Sequence, residues 1–254
     1  MVPSVDSMNS WIEYEPQFVR RRYNRLASIY VFFEWLFWLP RGIRPRAVDR
    51  LNLKFGDRVL EVGCGTGRNL AFLSRAVGPD GRVYGIDLSE GMLAKARSVC
   101  EQAGLTNVLL IQADASEYEL PELVDGAIFS LSYAVMRDRK RALRNAWRQL
   151  KPGGRLVMLD AKVLKGFLGR ITHGLFSLIL RLTVLGNPDV EALKDIRELT
   201  GQVEVQELQF GTYFIARAIK PISGAQPPSV VTEDRNPTVS EGARRDFTDL
   251  THPP

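Results

Sequence analysis

An α/β fold with a doubly wound, mostly parallel sheet is predicted by three features of this sequence. Short apolar runs alternate with helical patterns between residues 51 and 160, which is typical of parallel βαβ units. A glycine-rich turn joins the first run to the first helical pattern. Two further apolar runs, joined by a tight turn, predict an antiparallel pair near the end of the domain. Together these features predict a central seven-stranded sheet with helices on both faces and an antiparallel last strand.

The first five strands are expected to be buried, because each is almost continuously apolar and rich in Val, Ile and Leu. They are RVLEV at 58–62, RVYGID at 82–87, NVLLIQAD at 107–114, DGAIFSL at 125–131 and GRLVMLD at 154–160. Helical spacing occupies residues 67–77, 89–104 and 137–150. Ser89, in the segment DLSE, has the residue type of a helix N-cap, so the second helix is expected to begin there.

After the fifth strand, a long apolar helix is expected over about 165–185, followed by the strands VEVQEL at 203–208 and GTYFIARAI at 211–219. The whole chain is expected to divide into three parts. We expect residues 1–50 to form a basic, aromatic helical lid or membrane-interface segment, and residues 51–220 to form the main domain. Residues 221–254 hold six of the 14 prolines and little that could form a core, so a disordered tail is expected there.

The composition narrows the class of protein and its compartment. The chain has 254 residues, 45% of them hydrophobic and 25% charged, and a formal net charge of +5, which favours anionic partners. Cys64 and Cys100 form no recognisable metal spacing or disulfide framework, so we expect a reducing, cytoplasmic compartment and no metal. The first ten residues lack a secretory signal pattern, and no apolar run reaches the about 18 residues of a spanning helix.

The glycine-rich turn, VLEVGCGTGRNL at 59–70, predicts a ligand site. Gly63, Gly65 and Gly67 permit a tight turn and let a ligand approach the backbone without meeting a Cβ. Such a site would lie at the carboxyl edge of the sheet, at the N-terminus of the helix that follows. In a dinucleotide fingerprint the third small residue would fall on Arg68, which is too large for that position. The pattern E-x-G-x-G-x-G therefore disfavours a nicotinamide cofactor.

Four segments, in order and at matching spacing, resemble the class I S-adenosylmethionine-dependent methyltransferases. VLEVGCGTGRNL is similar to the first motif of that family, GIDLSEGMLAKAR to the second, IQADASEYEL to the third, and LKPGGRLVMLD to the turn and fifth strand. The likeness covers about residues 51–160 and extends more loosely to about 220. It implies a Rossmann-like fold with an N-terminal helical lid, S-adenosylmethionine as the cofactor, and methyl transfer as the reaction.

The resemblance also implies cofactor roles for the residues that match these motifs. Asp87, which ends the second strand, would bind the ribose hydroxyls, and Asp114 with Ala115 would meet the adenine amino group. The acid matching Glu61 supports the loop and cofactor region, so two readings stay open for Glu61: cofactor contact or loop brace only. Cys64 is expected to pack without reacting, since no His partner lies nearby in sequence. The predicted cofactor-binding residues are Glu61, Gly63, Cys64, Gly65, Gly67, Asp87, Leu88, Met92, Asp114, Ala115 and Ser130.

The acceptor is less specified than the cofactor. The segment FSLSYAVM after strand four lacks the Asn/Asp-Pro-Pro-aromatic signature, which disfavours an N-methyltransferase of nucleic-acid bases. YNRLASIY at 23–30 resembles the opening of bacterial phospholipid N-methyltransferases and of quinone-ring C-methyltransferases, with Asn24 in place of the usual Asp. The candidates for substrate contact or catalysis are Tyr23, Tyr30, Ser132, Tyr133 and His173, with the histidine as a candidate base for carbon methylation.

Two apolar segments lead us to expect a lipid-like acceptor. Residues 23–37 are aromatic and flanked by arginines, and KGFLGRITHGLFSLILRLTVLG at 165–186 has one narrow polar stripe, which together suit an anionic membrane surface. We therefore expect methyl transfer to a lipid head-group amine such as phosphatidylethanolamine, by a protein peripheral to the inner membrane face. The alternative is a quinone or small hydrophobic metabolite, and a silent cofactor-binding protein stays open. A nucleic-acid partner is not expected, because the arginines lie among aromatic side chains. The oligomeric state is left open.

Overall fold

A computed structural model describes residues 42–161, 191–209 and 211–222, and these form a sheet of seven strands in the order β3-β2-β1-β4-β5-β7-β6. The strands are β1 (Arg58–Val62), β2 (Arg82–Asp87), β3 (Val108–Gln112), β4 (Val124–Ser130), β5 (Leu150–Ala161), β6 (Glu204–Leu208) and β7 (Tyr213–Ile219). The first five strands pair in parallel, and β7 pairs antiparallel with both β5 and β6. The predicted mixed sheet with a reversed last strand is therefore confirmed.

Helices cover both faces of this sheet. They are α1 (Ile43–Asp49), α2 (Leu70–Val77), α3 (Glu90–Gln102), α4 (Arg139–Arg148) and α5 (Ala192–Thr200), with a 3₁₀ turn at Tyr133–Val135. Apolar residues of α1, α2 and α3 share one core with alternate residues of the strands, among them Val59 and Val157. Residues of α4 and α5 share the opposite core with Leu60 and Met158. Because successive side chains on a strand point to opposite faces, each central strand contributes to both cores.

Two local expectations are corrected. The helix predicted from residue 67 begins at Leu70, because Gly67 has φ of +81° and still belongs to the turn. The third strand, predicted as buried, pairs with β2 alone and forms an edge, and Leu109 on it is 47% exposed. An apolar run does not by itself distinguish an edge strand from a central one.

Other local expectations are confirmed. Ser89 is the N-cap of α3, since its side chain accepts a hydrogen bond from the Met92 backbone N–H. The turn between β6 and β7 contains Gly211, whose φ is +83°. None of the described helices has the length and apolar content that crossing a bilayer requires. The segment 1–41, the expected helix at 165–185 and the tail lie outside the described residues.

Candidate active site

The predicted cofactor residues of the described chain lie at the carboxyl ends of the strands and on the segments that follow them. The chain reverses its direction of winding between β1 and β4, which are neighbours in the sheet although β2 and β3 intervene in sequence. Ligands of open α/β sheets bind in the crevice at such a switch point. The loops after β1, β2, β3 and β4 surround this crevice, so the fold brings four separate sequence segments to one place.

The three glycines of the loop after β1 serve different purposes. All have positive φ, which L side chains rarely adopt. A Cβ at Gly63 would lie 2.7 Å from the Ser132 Cβ, and one at Gly67 would lie 2.9 Å from a Leu70 methyl. A Cβ at Gly65 would meet no atom within 4 Å. Gly63 and Gly67 thus allow close packing of the loop, whereas Gly65 leaves open space above the backbone.

Asp87, at the end of β2, holds the glycine loop in place. Its Oδ2 accepts a hydrogen bond of 2.8 Å from the Gly65 backbone N–H, and its Oδ1 accepts one of 2.9 Å from the Ser89 N–H. Burial raises the pKa of this carboxyl above its ordinary value, although the backbone N–H groups partly oppose the rise. Each carboxylate oxygen can accept a second hydrogen bond, so Asp87 retains acceptor capacity.

Glu61, at the end of β1, is buried with one oxygen satisfied and one not. Its Oε1 accepts a hydrogen bond of 2.5 Å from the Asn69 side-chain amide, while Oε2 has no hydrogen-bond partner. The side chain is 1% exposed, and burial raises its pKa to about 7. Asn69 and the positive charge of Arg44 lower the pKa by smaller amounts. A buried oxygen without a donor costs free energy, so Oε2 is a candidate contact for a ligand that carries a donor.

The segment after β4 packs beneath the glycine loop. The Ser132 hydroxyl donates a hydrogen bond of 2.6 Å to the Val62 carbonyl oxygen. The Tyr133 side chain is fully buried, and its hydroxyl donates a hydrogen bond of 2.8 Å to Asp195 of α5. Burial, and then this carboxylate, raise the pKa of Tyr133 well above its ordinary value. The Tyr133 ring also packs edge-to-face on Phe129, with centroids 5.7 Å apart.

The remaining described candidates lie around the same crevice. Asp114 is exposed after β3, and its Oδ1 accepts a hydrogen bond of 2.8 Å from the Ser116 N–H. The Ala115 carbonyl accepts one of 3.0 Å from Asn145 of α4. Met92 is buried at the start of α3, and Leu88 is half-buried beside Asp87. Tyr23, Tyr30 and His173 lie outside the described residues.

Cys64 is a packing residue in this loop. Its thiol is buried against the sheet, and burial raises its pKa well above the ordinary value, with further increases from Glu61 and Asp87. A thiol with a raised pKa carries little thiolate and is a poor nucleophile. That this cysteine does not react stays a prediction.

Two residues that the sequence did not single out as site residues, Arg44 and Asp160, belong to the same region. Arg44 of α1 donates through one guanidinium nitrogen to Asn69 Oδ1 at 3.4 Å and to Ser130 Oγ at 3.2 Å. Asp160, near the end of β5, is buried and has an unpartnered Oδ2. Burial raises the pKa of Asp160 to about 6, although hydrogen bonds from the Ala161 and Ala134 backbone N–H groups oppose the rise. Arg44 lies 25 and 86 residues from its partners, so no local pattern could have indicated it.

Comparisons with known proteins agree with this architecture. Residues 59–154 match a family described as "Methyltransferase domain". The chain is 30% identical over 211 residues to the demethylmenaquinone methyltransferase of Geobacillus kaustophilus, which covers 80% of this chain and 88% of that protein. It is 32% identical to the demethylmenaquinone methyltransferase of a second Geobacillus strain over 143 residues, or 56% of this chain and 59% of that protein.

A solved structure supports the fold independently. The crystal structure of a SAM-dependent methyltransferase from Aquifex aeolicus superimposes with a TM-score of 0.51 at 23% identity, covering 81% of this chain and 98% of that one. The sheet order β3-β2-β1-β4-β5-β7-β6, the glycine loop at the switch point and the sequence match therefore lead to one conclusion. The chain belongs to the class I S-adenosylmethionine-dependent methyltransferases.

Proposed function

We propose that this protein transfers a methyl group from S-adenosylmethionine to a ring carbon of a reduced quinone. The observation that carries the proposal is the alignment with demethylmenaquinone methyltransferases at about 30% identity over most of both chains. This favours the quinone alternative over the lipid head-group amine that the apolar segments suggested. Those segments lie outside the described residues, so the structure adds no support to the amine.

The described residues fit the cofactor. S-Adenosylmethionine combines an adenosine with a methionine part that carries an ammonium, a carboxylate and a sulfonium. The open space above Gly65 allows a ligand to lie against the loop backbone. The Oε2 of Glu61 has no hydrogen-bond partner, and the ammonium of the methionine part would donate a hydrogen bond to it. Asp87 lies at the end of β2, where its remaining lone pairs suit the ribose diol.

The other predicted residues would complete the cofactor site. Asp114 and the Ala115 backbone would meet the adenine edge, since they follow the neighbouring strand β3. Leu88 and Met92 would supply apolar contacts to the adenine ring. Ser130 lies at the end of β4, and it would stand between the cofactor and the acceptor. These assignments agree with the order in which the four loops line the sheet edge.

Methylation at carbon requires more of the protein than alignment of the methyl group with the acceptor carbon, because protons must also be removed. The cofactor supplies an electrophilic methyl group on its sulfonium. A ring carbon becomes nucleophilic when a neighbouring phenolic hydroxyl loses its proton, and the ring later loses the proton that the methyl replaces. The chain must therefore offer a proton acceptor and a pocket that aligns the two reactants.

Asp160 is a candidate for this proton acceptor. It is buried one strand away from Ser130, and its pKa of about 6 lets it take up a proton near neutral pH. Its Oδ2 has no hydrogen-bond partner. In this role Asp160→Asn should lower turnover while leaving the affinity for the cofactor unchanged. His173, expected as a base from the sequence, is the competing candidate, and His173→Gln tests it in the same assay.

Demethylated menaquinones are hydrophobic, so we propose that the protein meets its acceptor at a membrane surface. The net charge of +5 suits an anionic surface. Binding to vesicles that contain anionic lipid should then weaken as salt concentration rises. Binding that is absent, or insensitive to salt, would contradict this part of the proposal.

The decisive experiment is methyl transfer with isotopically labelled S-adenosylmethionine. Purified protein is offered a reduced demethylated naphthoquinone and, separately, vesicles of phosphatidylethanolamine, and the products are separated by chromatography. Label in the quinone supports the proposal, whereas label only in the phospholipid overturns it. Asp87→Asn should abolish incorporation by disturbing the glycine loop. Asp80→Asn, a change at an exposed aspartate in the turn before β2, is the matched control.

A further inference from the structure

Arg44 reaches the cofactor crevice from outside the recognised motifs. It belongs to α1, which precedes residues 59–154 of the family match. The apolar face of α1 fixes the helix on the sheet, since Ile43, Ala47 and Val48 are each at most 4% exposed. Arg44 lies on the same helix but is only half-buried, and its guanidinium reaches residues that follow β1 and β4.

A continuous polar chain connects Arg44 to Glu61. Arg44 donates to Asn69 Oδ1, and the amide nitrogen of the same Asn69 donates to Glu61 Oε1. This orientation of the amide satisfies both neighbours, because a guanidinium can only donate and a carboxylate can only accept. The charge of Arg44 lowers the pKa of Glu61, so the two groups interact electrostatically.

These hydrogen bonds place the cation of Arg44 on one side of Asn69, and the carboxylate of Glu61, with its unpartnered Oε2, on the other side. The methionine part of the cofactor presents the complementary arrangement, an ammonium and a carboxylate on one carbon. A planar guanidinium is well suited to bind a carboxylate through two hydrogen bonds. We propose that Arg44 binds the carboxylate of the methionine part of S-adenosylmethionine, with Asn69 holding Arg44 and Glu61 at the required separation.

The competing role for Arg44 is a brace that ties α1 to the glycine loop. Such a brace would act on every ligand of the loop alike. A carboxylate contact would act only on ligands that carry the carboxylate. The two roles are therefore separated by comparing S-adenosylmethionine with its decarboxylated analogue, which retains the adenosine, the sulfonium and the ammonium.

The test measures the dissociation constants of both ligands by titration calorimetry, for the full-length protein and for Arg44→Gln. Because Arg44→Gln removes a charge-assisted contact, it should raise the dissociation constant of S-adenosylmethionine by about ten- to hundredfold. The affinity for the decarboxylated analogue should change by less than about threefold. Arg46→Gln is the matched control, because Arg46 lies on the same helix and is exposed. It should leave both affinities unchanged.

If Arg44→Gln lowered the affinity for both ligands equally, the proposal would be overturned, and Arg44 would be a brace between α1 and the glycine loop. The unaltered protein gives a second test that needs no variant to fold. It should bind S-adenosylmethionine at least about tenfold more tightly than the decarboxylated analogue, and equal affinities would exclude any cation at the carboxylate. Because acceptors are absent from these measurements, their outcome is independent of whether a quinone is the substrate.

Discussion

The substitution Glu61→Gln should change how the free energy of unfolding depends on pH. The Glu61 carboxyl is buried, and burial raises its pKa from an ordinary value of 4.5 to about 7. The folded protein therefore holds this proton more tightly than the unfolded chain does. The stability that the neutral carboxyl contributes is present below pH 4.5 and is lost as pH rises toward and through 7.

The size of the effect follows from the two pKa values. Each pH unit between them corresponds to 1.36 kcal/mol, so full ionisation costs the folded state about 3 kcal/mol. Between pH 5.5 and pH 8 the cost grows by about 2 kcal/mol, since part of the titration lies outside this window. Glutamine does not ionise. The unfolding free energy of Glu61→Gln, relative to the unaltered protein, should therefore increase by about 2 kcal/mol over this range.

Urea unfolding of the ligand-free proteins at several pH values measures this difference directly. Asp160 also titrates in this window, but it does so in both proteins and cancels in the comparison. Glu101→Gln, the same substitution at an exposed position on α3, is the matched control. A constant difference for Glu61→Gln would refute the reasoning, because it would mean that Glu61 stays ionised in the fold.

Two further predictions concern the residues that pack around the loop. Gly63→Ala should lower the midpoint of thermal unfolding more than Gly65→Ala does, because only its Cβ meets another residue, at 2.7 Å from the Ser132 Cβ. Gly65→Ala carries the strain of a positive φ alone, and its Cβ would enter the open space above the loop, so it should weaken cofactor binding in calorimetry. Identical effects of the two substitutions would contradict the assigned difference. Tyr133→Phe removes the hydrogen bond to Asp195 and should cost about 1–2 kcal/mol in urea unfolding with turnover largely retained. A loss of turnover without a loss of stability would indicate a substrate contact.

The sequence determined the class of this protein because the relevant signals are local. Alternation of apolar runs with helical patterns depends on side-chain periodicity within one segment, and it predicted the parallel strands and the antiparallel pair. The glycine pattern of the loop is likewise continuous in the chain, and Arg68 at its end argued correctly against a dinucleotide fingerprint. Asp87 could be predicted as a cofactor residue because it ends a predicted strand within a recognisable motif.

The tertiary structure decided which of these residues face open space and which are enclosed. Gly63 and Gly65 look alike in sequence. In the fold, Ser132, more than 60 residues away, packs against Gly63, whereas Gly65 faces open space. The burial of Glu61, and so its pKa, depends on tertiary packing around the end of β1, where Asn69 contacts the carboxyl. Arg44 joins the crevice because α1 packs beside β4 and β5. These properties arise from contacts between segments that are distant in sequence, so a pattern within one segment cannot predict them.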